Sequence, residues 1–121
     1  MIDRAFVSSI VLLALGGPAA AGPDVYINTF PVSLTQGECL SETKKILLRA
    51  GFSNRSITQA TYKAQNGEDI LDGWNATHAD VSMTAAIECN APNGVGAFAI
   101  SGLNSSLVYG KYKEVFRLFF E

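Results

Sequence analysis

The sequence predicts a single α+β domain: an antiparallel sheet of about four strands with two helices on one face, in the order β-α-β-β-β-α. Three observations predict it. Thr35-Gln36-Gly37-Glu38 opens an amphipathic segment that stops at Gly51-Phe52, the pattern of a helix capped at both ends. Val81 to Cys89 alternates apolar and polar residues, the pattern of a strand covered on one side. From Asn104 to Phe119 apolar residues return at helical spacing.

A different kind of segment precedes the domain. Arg4 stands ahead of an uncharged, mostly apolar stretch from Ala5 to Leu15. Gly16, Gly17 and Pro18 break it, and Ala19-Ala20-Ala21 offers the small-x-small pattern of a signal-peptidase site. Residues 1–21 therefore read as a secretory signal peptide, and 22–121 as the domain. The stretch is well short of the roughly 20 residues a helix needs to cross a bilayer. The expectation is a periplasmic or secreted protein without stable membrane insertion once the signal is removed.

Each element has its own signal. Asp24 to Phe30 alternates Val25, Ile27 and Thr29 with Tyr26, Asn28 and Phe30, a strand ended by Pro31. In the first helix, about Gln36 to Ala50, Cys39, Leu40, Thr43, Ile46, Leu47 and Ala50 share one face, and Glu42, Lys45 and Arg49 the other. Gly51 supplies a left-handed stop, after which Phe52 folds back on Leu47. Ser56 to Gln65 alternates weakly and reads as a strand with a wet face. Asn66-Gly67 is a hairpin turn. Glu68 to Asn75 fits either strand or loop, and His78-Ala79-Asp80 reads as a second turn. Val81, Met83, Ala85, Ile87 and Cys89 form the apolar side of the cleanest strand. Ala91-Pro92-Asn93-Gly94 turns the chain into a further strand, Val95 to Ser101. Asn104 or Ser105 caps the last helix. Val108, Tyr112, Val115, Phe116 and Phe119 are its buried stripe; Lys111, Lys113, Glu114 and Arg117 are its wet side. This order looks ferredoxin-like, a split β-α-β arrangement without the last strand.

Two cysteines in an exported chain favour a disulfide, and Cys39 and Cys89 allow one intramolecular pairing. Cys89 falls on the strand face that the first helix must cover, which agrees with a helix-to-sheet bridge. The segments Gly37-Glu38-Cys39-Leu40, Ala50-Gly51-Phe52 and Ala85-Ala86-Ile87-Glu88-Cys89 resemble a pattern in small exported bacterial proteins. The resemblance spans roughly Glu38 to Gly102 and implies an exported single domain with a cysteine pair. It implies no activity. The stretch from Tyr62 to Thr77 is longer than that pattern expects.

The chemistry is sparse. A net charge of −2 and scattered Lys and Arg residues give no stripe for nucleic acid. No Gly-x-Ser-x-Gly elbow and no phosphate-binding glycine loop occur, so no cofactor is expected. His78 is the one histidine. With Asp80 it makes two ligands at i, i+2, short of the three or four that a metal needs. It reads first as a solvated turn residue. Asn54, Asn75 and Asn104 each open an Asn-x-Ser/Thr triplet, which would accept a glycan only in a eukaryotic secretory route. The functional expectation is an exported, non-enzymatic binding or interaction module for an unknown protein or small molecule. Trp74, His78, Asp80, Phe116 and Phe120 are the candidate contacts. The rival classes are a small hydrolase using His78 with Asp80 or Glu88, and a structural subunit. That subunit would form a homo-oligomer through the last helix or a sheet edge.

Overall fold

Local signals at the two helices and the alternating strand decide most of the architecture. The computed structural model describes residues 23–121, and the expected leader lies outside them. Strand β1 (Asp24–Pro31) leads into helix α1 (Gln36–Arg49). A short 3-10 turn at Asn54–Ser56 is followed by β2 (Thr58–Lys63), β3 (Asp69–Thr77), β4 (Met83–Asn90), β5 (Val95–Gly102) and helix α2 (Ser105–Phe120). The strands form one five-stranded sheet in the order β1-β5-β4-β3-β2, and all four pairings are antiparallel.

Two expectations are corrected. The segment left open between strand and loop is β3, so the sheet has five strands rather than about four. The ferredoxin-like topology also fails. A split β-α-β unit places one antiparallel strand between the two strands its helix joins, and here three strands, β5, β4 and β3, lie between β1 and β2. Short connections make β2 to β5 a continuous meander. Asn66-Gly67 starts it, with Gly67 at φ 88° donating its N–H to the Ala64 carbonyl. Helix α1 carries the chain from one edge of the sheet to the other, and β1 pairs only with β5.

Both helices cover the same face. Ile87 and Ile100 from the sheet, Leu47 from α1, and Val108 and Val115 from α2 are all buried there. Phe98 lies beneath α2, its ring 5.1 Å from that of Phe119, which in turn stacks on Phe30 at 4.1 Å. Gly96 is required at this point, because a Cβ there would overlap the Phe30 ring. Burying such side chains is worth roughly 1.5–3 kcal/mol each, so this face is the core.

The ends of α1 match their sequence signals. The Glu38 N–H donates to the Thr35 hydroxyl at 3.2 Å, and the Thr35 N–H donates to the Glu38 carboxylate at 3.0 Å. At the other end Phe52 N–H donates to the Leu47 carbonyl and Gly51 N–H to the Leu48 carbonyl, with Gly51 at φ 92°. One residue expected on the wet side of α2 is not there. The Lys111 side chain is 16% exposed, and its Nζ donates to the Ala50 carbonyl and to Glu114, both at 2.7 Å. It therefore satisfies a carbonyl at the end of α1 that would otherwise lack a donor.

The Cys39–Cys89 disulfide is present, with Cα atoms 6.2 Å apart. Both cysteines are buried, and the hydroxyl of buried Thr43 donates to the Cys39 carbonyl at 2.8 Å. Among the described residues no helix is long and apolar enough to cross a membrane.

Candidate functional site

Alternation sends successive strand side chains to opposite faces. On β4 and β5 one set is buried under the helices. The other set, Thr84, Ala86 and Glu88 with Ala97, Ala99 and Ser101, points to the open face. That face has a floor of small side chains. Thr84 and Ser101 share a hydroxyl hydrogen bond across it at 2.9 Å.

The open face is concave for a local reason. Thr61 pairs with Leu71 and Ala60 pairs with Gly73, so Asp72 is an extra residue in β3. A bulge of this kind bends its strand and increases the twist. Gly73 permits the bend, since a Cβ at that position would overlap the Ile87 carbonyl oxygen on β4. Tyr62, Ile70 and Asp72 then form a wall beside Glu88, Ala97 and Thr29. Together they enclose a groove of about 490 Å³. A second depression of about 280 Å³ continues along the face, lined by Val25, Thr58, Asn75, Ala86 and Ala99 among others.

The groove combines a partly apolar lining that includes Val95, Pro92 and Ala97, one half-exposed aromatic side chain (Tyr62, 53% exposed) and two carboxyl groups. Such a surface accepts a flat or extended apolar group along the strands, and the carboxyl groups of Asp72 and Glu88 accept hydrogen bonds from its polar end. No group of three or more His, Cys, Asp or Glu side chains placed to hold a metal occurs among the described residues.

The residues singled out from sequence lie elsewhere, in three places. Trp74 is half-buried on the helix face; its indole N–H donates to the Leu40 carbonyl at 2.8 Å, and Lys44 lies 5.2 Å above its ring. His78 stands at the end of β3, where it forms a bridge with Phe52 and meets that ring edge-on at 5.5 Å. Its Nδ1 accepts the Asp80 N–H at 3.1 Å, which places the ring proton on Nε2. Neither the Asp80 carboxyl group nor Glu88 is a hydrogen-bond partner of His78; Glu88 lies on the open face. Phe116 and Phe120 pair on α2 at 4.6 Å, with Phe120 49% exposed. The structure thus brings His78 to Asp80 through the backbone, and Phe116 to Phe120, but joins neither pair to Trp74.

Tyr62, Ile70 and Ala97 were not singled out from sequence. One signal pointed to them: a glycine inside an apolar strand pattern, here Gly73, marks a bulge or a close backbone approach. A scan of protein-family models and a search of the curated proteins found no match to this chain.

Proposed function

We propose that this chain is an exported, non-enzymatic binding module that takes its ligand on the open face of the sheet. One observation carries the reading: five strands bury one face under both helices and leave the other open, with Tyr62 and Ile70 walling a groove that includes Ala97, Thr29 and Glu88. Surface grooves of a few hundred Å³ with a mostly apolar lining and a few placed polar groups are the usual form of a ligand site. Export is supported by the leader pattern at residues 1–21 and by the Cys39–Cys89 bridge, since disulfides persist in oxidising compartments.

The test is capture from the native host. The exported form is purified from the cell envelope or medium, and whatever co-purifies is identified by mass spectrometry. The same is done with Ala97→Arg, which fills the groove from an outward-facing, half-buried position. The expected result is a ligand retained by the natural chain and lost from the variant, with the fold intact by circular dichroism. The same ligand retained at equal yield by Ala97→Arg would end this reading.

A further inference from the structure

Among the described residues the sheet has two unpaired edges, and they differ. The β2 edge is six residues long and polar, lies beside the bulge, and ends in Lys63. Short length, bulges and lysine are the devices that discourage edge-to-edge pairing. The β1 edge has eight residues, no lysine or arginine and no register shift. It exposes Val25 and Ile27, the latter at 65%.

The hydrogen-bonding groups of that edge can be assigned. Val32 donates its N–H to the Gly94 carbonyl, next to the Pro31–Val95 pair. Backbone groups alternate along a strand, so Tyr26, Asn28 and Phe30 turn theirs toward β5. Pro23, Val25, Ile27, Thr29 and Pro31 turn theirs outward. Pro31 fits this assignment, because proline is tolerated where the missing N–H would face solvent. Thr29 has its N–H committed to the Asn28 Oδ1 at 2.8 Å. Pro23 has none. Two outward donors remain, on Val25 and Ile27, with no partner among the described residues.

We propose that β1 is a dimerisation strand, and that two copies of this chain pair β1 to β1, antiparallel, about a two-fold axis at Tyr26. In this register Val25 faces Ile27 of the second copy. The four available N–H groups then meet four outward carbonyls. The next positions oppose Pro23 to Thr29, and neither has an N–H to give. The donor pattern is therefore its own complement when reversed, which is what an isologous two-fold contact requires. Val25 and Ile27 become cross-strand apolar pairs on the open face. Two Tyr26 rings meet on the helix face, each already 5.2 Å from Tyr109 of its own α2. Asp24 opposes Asn28 rather than a like charge. The inference uses the edge of the sheet and does not depend on a ligand in the groove.

Sedimentation equilibrium on the disulfide-intact exported form tests it, over roughly 1 μM to 1 mM. The expected result is a reversible monomer–dimer equilibrium within that range. Amide exchange followed by NMR slows at Val25 and Ile27 as the dimer forms, and does not change at Thr29. Ile27→Lys, at an exposed position, weakens the dimer by about tenfold or more and leaves the circular dichroism spectrum unchanged. A chain that stays monomeric throughout overturns the proposal. So does a dimer in which Val25 and Ile27 exchange at concentration-independent rates, or one that Ile27→Lys leaves intact.

Discussion

Single residues hold the ends and bends of this fold. The hydrogen bond from the Thr35 N–H, then that from the Thr35 hydroxyl, holds the Glu38 carboxyl below its usual 4.5. A group whose pKa is depressed by folding stabilises the folded state above its unfolded pKa, and that contribution is lost as pH falls through the folded value. Glu38→Ala should therefore lower the urea midpoint at pH 7. The gap from the natural chain should narrow as pH falls below 4.5, with the midpoint measured at each pH. The glycines separate by environment in the same way. A Cβ at Gly110 meets nothing within 4 Å, and the position is helical. Gly110→Ala should stabilise by about 1 kcal/mol. Gly73→Ala forces a methyl into the β4 backbone and should destabilise by about 2 kcal/mol. Paired denaturation curves on the two variants check both signs.

At the scale of elements, the disulfide ties helix α1 to strand β4. It closes a ring with a sequence separation of 50, holding most of α1 and β4 and all of β2 and β3. The chain-entropy model assigns such a ring about 4 kcal/mol. Unfolding in urea with and without reductant should show a loss of that order, and Cys39→Ala with Cys89→Ala should reproduce it. Elements with local signals were legible in the sequence. Helix α1 has both caps within its own neighbours, and β4 alternates without interruption, so both were found from sequence. Strand β3 was not. The extra residue Asp72 breaks the two-residue period between Leu71 and Trp74, and a broken period reads as a loop. In β1 the alternation was plain but its facing was not. The structure turns Tyr26 and Phe30 inward and Val25 and Ile27 outward, because α2 brings Tyr109, Tyr112 and Phe119 to meet aromatic rings. That choice is made by an element some eighty residues away.

At the scale of the whole molecule, the sheet separates a sealed face from an open one. The sequence indicated that both helices lie on one side, and the other side then follows. The groove did not follow, because its wall depends on a strand that the sequence left unassigned. Trp74 stood out by composition, yet its indole N–H donates to the Leu40 carbonyl on the sealed face. A change there should act on stability and not on binding. Trp74→Phe removes one hydrogen bond worth about 1 kcal/mol. It should lower the thermal midpoint while the ligand captured from the host is retained, and loss of capture without loss of stability would move the site to this residue.

The pairing of Asp24 with Gly102 joins the first strand in sequence to the last. A polypeptide is made and delivered from its amino end. The opening strand therefore waits, unmatched, until nearly everything else has emerged, and only then does the last hairpin arrive to receive it. Long waits of this kind slow the final closure. They also keep the chain pliable until its synthesis is nearly complete.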